Sequence, residues 1–261
     1  MSIVRRNHIL LKAVPFVGAV IAVKLVFHRY GLEYLSLNAI FSGIIGATVF
    51  LLSFLLSGVL SDFKESEKIP GDLSAILLSM ADEIDIIAKS KRDPSIRESL
   101  ACMLDLTISI RDWFHKKERT RSVMEKIRGL NDHFLRLEPF TQANFISRLK
   151  QEQNNLRRMV IRIHTIRETD FISSGYLIAT STSGLLVVGL VLAKIEPFYE
   201  SLFFVGVVSY LLIYLLFLIR DLDNPFGHYE ENSSEDVSLV PIHDAVKEIK
   251  EIKERLDAMG S

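Results

Sequence analysis

Long apolar stretches alternate with charged segments along this chain. Four of the stretches are almost free of charge, and each has the roughly 17 to 25 residues that cross a hydrocarbon core about 30 Å thick. They lie at residues 9–27, 39–60, 171–193 and 202–219. We therefore predict an all-α membrane protein with four transmembrane helices, arranged as one hairpin in residues 1–61 and another in residues 171–220.

The first stretch contains charged residues and has a second interpretation. Lys12 and Lys24 lie towards its ends, where we expect their long stems to carry the charge to the membrane surface. Arg5 and Arg6 before an apolar run are also typical of a secretory signal peptide. The run is too long for the apolar part of such a peptide, and His28 follows it without a small-residue cleavage site. We therefore expect a retained helix.

Between the two hairpins, residues 62–170 carry charges every few positions and repeat apolar residues at three- and four-residue spacing. This pattern predicts amphipathic helices. One break is expected at Asp93-Pro94, because proline suits the start of a helix, and another before Glu138-Pro139. In the tail, residues 221–261, a heptad seam predicts a further helix that packs on its own chain or bundles with its copies. The seam consists of Ile242, Ala245, Ile249, Ile252, Leu256 and Met259.

Basic residues are distributed unevenly around the predicted spans. They precede the first and third spans and follow the second and fourth, whereas the connections at 28–38 and 194–201 carry only Arg29 and Lys194. The positive-inside rule therefore predicts that both termini and residues 62–170 are cytoplasmic. We expect a multi-pass protein of the plasma membrane.

Composition and motifs limit the chemistry that the chain can perform. It has 261 residues, of which 49% are hydrophobic, and a formal net charge of -1. A nucleic-acid-binding domain would carry an excess of basic residues, so nucleic acid is not an expected partner. The seven histidines lack metal-binding spacing, and the sequence contains no phosphate loop, dinucleotide fingerprint or nucleophile elbow. We expect neither an enzyme nor a tightly bound cofactor.

The second span suggests how the chain could act. Its small residues would let helices pack closely, and its larger side chains form two neighbouring stripes. One stripe consists of Ile45, Val49 and Ser53, and the other of Phe50 and Phe54. Copies of this helix around a symmetry axis would present rings of apolar side chains, which can gate a pore by dewetting. The alternative for both stripes is ordinary packing and contact with lipid.

Two short motifs resemble those of the bestrophin and bestrophin-like membrane proteins. The segment SEKIP, residues 66–70, resembles the family's Tyr-Glu-Asn-Leu-Pro motif, with Glu67 and Pro70 kept and the other three positions different. The segment Asn224-Pro225-Phe226-Gly227, followed by acids, resembles the Asn-Pro-Phe-Gly-acidic segment after the family's last span. Both motifs occupy the family's places in a four-span layout.

The resemblance implies a homopentameric channel for inorganic anions such as chloride, embedded in membrane lipid, with copies of the second span lining the pore. Counting back from Pro70 without gaps places the family's neck on Ile45, Val49 and Ser53. The family usually has large apolar residues there, and this chain has Phe50 and Phe54 one position later. We expect the neck on one of these two stripes, which are about 100° apart on the helix.

The acids after Gly227 have two interpretations. The resemblance implies a calcium-binding clasp, which here would draw on Glu230, Glu231, Glu235 and Asp236. Calcium prefers six to eight oxygen ligands, and Asn-Ser-Ser interrupts these acids, so we favour a structural cap formed by residues 223–227. In such a cap the proline turns the chain and the following phenylalanine buries its ring.

Two functions are compatible with these patterns. The first is an oligomeric ion channel, and the second is a non-conducting scaffold or sensor, anchored in the membrane, whose cytoplasmic helices recruit partners. A scaffold would not need an uncharged helix rich in small residues that ends in the Glu67–Pro70 motif. We therefore expect the channel.

Overall fold

The structure is a computed structural model, and it describes residues 8–91, 93–168, 173–227 and 236–258. The described residues form nine α-helices, one 3-10 helix and one pair of two-residue strands. In chain order the elements are α1 (His8–Arg29), β1 (Leu35–Ser36), α2 (Ala39–Ser66), α3 (Ile69–Ser90), α4 (Pro94–Phe114), α5 (Thr120–Leu137), the 3-10 helix (Glu138–Phe140), α6 (Ala143–Glu168), α7 (Ser173–Leu192), β2 (Ala193–Lys194), α8 (Phe198–Leu222) and α9 (Val240–Ala258).

The chain divides into two compact units. The first, here called the span unit, includes the described residues 8–63 and 173–225. The second, here called the helical unit, includes the described residues 64–91, 93–168, 226–227 and 236–258. The helix α2 belongs to the span unit up to Phe63, and its last turn belongs to the helical unit.

The span unit contains the apolar helices. Among the described residues, four helices are long and apolar enough to cross a membrane, as the sequence predicted, and they identify an integral membrane protein. Within the unit α1 packs on α8 and α7, and α7 also packs on α8. The strands β1 and β2 pair in parallel and join the two connections, with Leu35 opposite Ala193. Two spans are longer than predicted, because α2 continues to Ser66 and α8 already begins after Pro197.

The helical unit has a conventional apolar core. Residues at three- and four-residue spacing on α3, α4, α5 and α6 are almost completely buried, among them Leu77, Leu100, Ile127 and Leu156. The predicted breaks occur where proline requires them. Asp93 caps α4 by accepting a hydrogen bond from the Ser95 amide at 2.9 Å, and α5 ends at Leu137 before the 3-10 helix.

The C-terminal helix α9 completes this core. Its seam residues Ile242, Ala245 and Ile249 are completely buried, and the helix packs on α3 and α4 of the same chain. The Ser74 hydroxyl donates to the Pro241 carbonyl at 2.9 Å, and Arg255 pairs with the buried Asp85 at 3.2 Å. Of the two arrangements that the heptad seam allowed, the structure therefore has the one within a single chain. Met259, the last seam residue, lies outside the described residues.

Candidate functional site: the exposed face of the second span

One face of α2 is exposed along the length of the span. Phe50 is 74% exposed and Phe54 is 69% exposed. Because an α-helix has 3.6 residues per turn, alternating steps of four and three residues stay on one face. Exposed residues follow these steps through Gly43, Ala47, Phe50, Phe54, Ser57 and Ser61. We call this set the exposed seam.

The second candidate stripe lies on the flank of the exposed seam. Ile45 and Val49 are half-buried, and Ser53 is exposed. The Ser53 hydroxyl donates to the Val49 carbonyl at 2.8 Å, so its polarity is satisfied within the helix. The structure thus brings the phenylalanines, and not Ile45 and Val49, to the centre of the exposed face.

Small residues are unusually frequent on this face. Ser42, Gly43 and Gly46 are exposed near the start of α2, and a Cβ atom added at either glycine would meet no neighbouring atom within 4 Å. By contrast, the exposed side chains of α8 are bulky, for example Phe203, which is 64% exposed. Small residues favour close contact between helices in a membrane. The composition of α2 is therefore that of a helix–helix contact surface.

The helix α2 also packs only sparsely against the other helices of its own chain. Its buried side lies opposite the exposed seam and consists of Thr48, Leu52, Leu55 and Val59. A side chain at Gly189 of α7 would come within 2.9 Å of the Phe41 ring, which marks a close approach between these two helices. Among the helices of the span unit, α1, α7 and α8 contact one another more extensively than any of them contacts α2.

The motif at the end of the second span forms a break between two helices. Glu67 and Lys68 lie in a turn between α2 and α3 and are exposed. Pro70 lies in the first turn of α3, where its missing amide hydrogen costs nothing, and it is buried. Just before the turn, Glu65 pairs with Arg162 of α6 at 2.8 Å. The proline thus starts a new helix at this point.

The segment from Asp223 to Gly227 ends the fourth span. The backbone amide of Asp223 donates to the Ile219 carbonyl at 3.1 Å, and the Tyr176 hydroxyl donates to the same carbonyl at 3.3 Å. These bonds satisfy an acceptor that the end of a helix leaves open. Pro225, Phe226 and Gly227 are all buried.

The Phe226 ring is completely buried in the helical unit. Its centroid lies 5.6 Å from that of Phe114, and the Phe114 ring lies 5.4 Å from Trp113. Aromatic rings at such separations pack favourably. Asn224, which precedes Pro225, is half-buried. The rings of Phe226, Phe114 and Trp113 thus form an aromatic cluster in the helical unit.

The proposed calcium ligands are described only in part. Glu230, Glu231 and Glu235 lie outside the described residues, and Asp236 is half-buried. Within the described parts of the chain, no group of three or more His, Cys, Asp or Glu side chains is arranged to hold a metal ion.

A buried ionic cluster in the span unit was not foreseen from the sequence. The interpretation that Lys24 carries its charge to the membrane surface is wrong, because the residue is completely buried. Its Nζ lies 2.6 Å from Oε1 of Glu33, and Oε2 of Glu33 lies 3.0 Å from Nδ1 of His28. A lysine in an apolar run with a glutamate nine residues later is the signal that could have indicated this pair, since buried charges require partners.

The sequence matches no protein-family model, and the search of curated proteins found no match. The fold, however, is similar to that of solved structures of a bacterial bestrophin homolog from Klebsiella pneumoniae. One such structure has a TM-score of 0.70 and 16% sequence identity, and the match covers 95% of this chain and 97% of that chain. One point mutant of the homolog has a TM-score of 0.68 and 17% identity, and the match covers 96% of this chain and 98% of that chain. Another point mutant has a TM-score of 0.75 and 15% identity, and the match covers 95% of this chain and 97% of that chain.

Proposed function

We propose that this chain, which has a bestrophin-like fold, assembles into an oligomeric ion channel whose pore is lined by α2. The observation that carries the proposal is the exposed seam of α2, which combines small residues with two exposed phenylalanines. A helix of this composition, sparsely packed in its own chain, is well suited to contact copies of itself around an axis.

The two phenylalanines are the proposed constriction. In a ring of α2 helices, residues at the centre of the exposed seam would face the axis, so Phe50 and Phe54 would form two successive apolar rings. Apolar rings of this kind oppose the passage of ions by dewetting. Ile45 and Val49, which are half-buried, would then lie towards neighbouring helices. With Phe50 and Phe54 towards the axis, the neck would have the large apolar residues that the bestrophin resemblance implies.

We further propose that the channel passes anions, with chloride as the expected ion. Cation channels commonly carry rings of Asp or Glu along the pore, and the segment from Ala39 to Ser61 has no charged residue. This part of α2 therefore gives cations no acidic site, and the resemblance to bestrophins supports the anion. Five copies per channel is the number that this resemblance implies.

The proposed orientation follows from the basic residues near the span ends. Both termini and the helical unit would be cytoplasmic, in keeping with the positive-inside rule, and the protein would reside in the plasma membrane. The connections that contain β1 and β2 would then face the outside.

Chloride efflux from liposomes that contain the purified protein tests the pore. We expect Phe50→Ala and Phe54→Ala to change the efflux rate roughly tenfold or more, because each removes an apolar ring that opposes wetting. Phe203→Ala is the matched control, since Phe203 is a similarly exposed phenylalanine on another span, and this variant should conduct like the unmodified protein.

The same experiment separates the alternatives. If Ile45→Ala and Val49→Ala change the efflux and the phenylalanine variants do not, the neck is the other stripe. If all four variants conduct normally, α2 does not line the pore. A uniformly reconstituted oligomer that conducts no ion at all would instead favour the membrane-anchored scaffold.

A further inference from the structure

We propose that a groove between α3 and α6 binds the phosphodiester headgroup of an anionic membrane lipid. The groove, here called the headgroup site, has a volume of about 560 Å³ and lies wholly within the helical unit. Two of the residues that line it, Lys68 and Ile69, are positions at which residues 66–70 depart from the bestrophin motif. The proposal does not depend on whether the protein conducts ions.

The charged side chains that line the headgroup site do not all neutralise one another. Glu65 pairs with Arg162 at 2.8 Å. Arg158 instead donates to the amide oxygen of Asn155, a neutral partner, at 2.5 Å, and this bond holds its guanidinium group at the wall of the groove. None of the ion pairs among the described residues includes Arg158 or Lys68. Two cations of the groove therefore keep an uncompensated positive charge.

Asp72 limits the negative charge that the headgroup site accepts. It lies in the first turn of α3 and lines the same groove. Lys68 and Arg158 supply two positive charges and Asp72 supplies one negative charge, so the net charge is +1 once the Glu65–Arg162 pair is set aside. A phosphodiester carries one negative charge and matches this balance. A phosphate monoester, with a charge of about -1.5 to -2 near neutral pH, exceeds it.

The headgroup site begins close to the end of the second span. The uncharged stretch of α2 ends at Ser61, and the helix continues to Ser66. Glu65 is therefore about 6 Å further along the helix than Ser61, at a rise of roughly 1.5 Å per residue. The headgroup layer on each side of a bilayer is about 5 to 8 Å thick. The first residue that lines the groove thus lies at the depth of lipid headgroups.

Apolar side chains lie beside the cations of the headgroup site. Ile69 is buried, and Ile76 and Met159 are half-buried. This surface suits the glycerol carbons and the first methylene groups of a lipid, because they leave water when they contact it. A soluble phosphodiester has no such apolar part. The combination of cations and apolar surface therefore favours a lipid as the ligand.

The test is the binding of dioctanoyl phosphatidylglycerol, a short-chain lipid with one phosphodiester, to the full chain in detergent, measured by native mass spectrometry. We expect the double variant Lys68→Gln with Arg158→Gln to bind roughly tenfold more weakly or worse, because it removes both cations that would contact the phosphate. Both residues are exposed, so the variant should fold. Lys68→Arg with Arg158→Lys keeps both charges and should retain most of the binding.

The double variant Lys247→Gln with Lys250→Gln is the matched control. It removes the same charge from exposed positions on α9 and should leave binding unchanged. Equal weakening in both double variants would overturn the proposal, since general attraction between the protein and an anionic lipid would then explain the binding.

Asp72→Asn tests the charge balance with the opposite sign. Because it removes the negative charge of the headgroup site, we expect tighter binding of dioctanoyl phosphatidylglycerol and a larger gain for dioctanoyl phosphatidic acid, which is a monoester. Weaker binding of both lipids in this variant would contradict the site.

Glycerophosphoglycerol, the same headgroup without acyl chains, distinguishes a lipid from a soluble ligand. At an equal concentration it should not displace the lipid, whereas equal competition would overturn the assignment to a lipid. The same mass spectra report the number of chains in each assembly. If Lys68→Gln with Arg158→Gln changed that number and left lipid binding intact, the groove would be a contact between copies of the chain and the proposal would be wrong.

Discussion

In the helical unit Leu77, Leu100 and Ile127 are completely buried, whereas in the span unit Phe50, Leu185 and Phe203 are 74%, 73% and 64% exposed. The helices of the first set are amphipathic, and their apolar residues are buried along one face. The spans are apolar on nearly all sides, and a smaller share of their apolar side chains is buried. The apolar residues of the helical unit thus meet within one chain, and those of the span unit require lipid or other copies of the chain.

Buried charged side chains also have different kinds of partner in the two units. In the helical unit the buried Glu83 pairs with Arg148 and the buried Asp85 pairs with Lys89 and Arg255, so carboxylates on α3 hold neighbouring helices. In the span unit Lys24 is completely buried, and two of its three partners are backbone carbonyls. A helix end can thus satisfy a cation where a bilayer offers no water.

We expect the largest effect on stability in the segment that follows the fourth span. Phe226→Ala should destabilise the protein by about 3 to 5 kcal/mol, because it empties the space that a fully buried ring fills next to Phe114. The measurement is chemical unfolding of the detergent-solubilised protein. Joint neutralisation of Glu230, Glu231, Glu235 and Asp236 is the control and should cost much less.

The opposite result for this segment has a clear meaning. If Phe226→Ala unfolds like the unmodified protein while the neutralised variant loses a calcium-dependent change in stability or efflux, the acids form a sensor. The structural cap that we favour would then be wrong.

A second prediction compares one residue from each unit directly. Ile249→Ala in the seam of α9 should cost about 2 to 5 kcal/mol, because the residue is completely buried. Phe50→Ala should change the free energy of unfolding by only about 0.5 kcal/mol, as expected for an exposed position. Both variants can be measured by the same chemical unfolding experiment. A large loss for Phe50→Ala would break the comparison, since it would make the exposed seam a tightly packed interface and not an open pore surface.

The smallest expected effect concerns the helical unit in acid. The hydroxyl of Ser109 donates to Glu118 at 2.5 Å, and that of Ser122 donates at 3.0 Å. Together with the charge of Lys126 these bonds outweigh burial and lower the pKa of Glu118. A carboxylate with a lowered pKa stabilises the fold above its ordinary titration range, and this contribution is lost as the pH falls through the lowered pKa.

We therefore expect Glu118→Gln to lower the unfolding midpoint at neutral pH and to reduce the further loss on acidification below about pH 5. Thermal unfolding between neutral and acidic pH measures both effects. Glu248→Gln, at an exposed position on α9, serves as the control and should retain the acid response of the unmodified protein. If Glu118→Gln responded to acid as the unmodified protein does, the stabilising role of the Glu118 carboxylate would be contradicted.

Much of the architecture could be predicted from local patterns. The four apolar helices were predicted within a few residues, because the length of an apolar run and the positions of proline depend on neighbours in the chain. The start of α4 at Pro94 and the end of α5 before Glu138 follow for the same reason. The pore stripes and the motif residues were named from the sequence, and their roles stay predictions that the proposed variants test.

Local patterns in the sequence predict which segments are helices, where these end to within a few residues, and which are apolar enough to enter a membrane. These properties depend on residues a few positions apart. The long-range pairings, in contrast, depend on the tertiary structure. It placed the seam of α9 on α3 and α4 of its own chain, turned Phe50 and Phe54 outward on α2, and buried Lys24 against the end of α7. The physical reason is that a hydrophobic pattern defines a face but not its partner, and that a charge in an apolar helix can reach water or find a partner far along the chain.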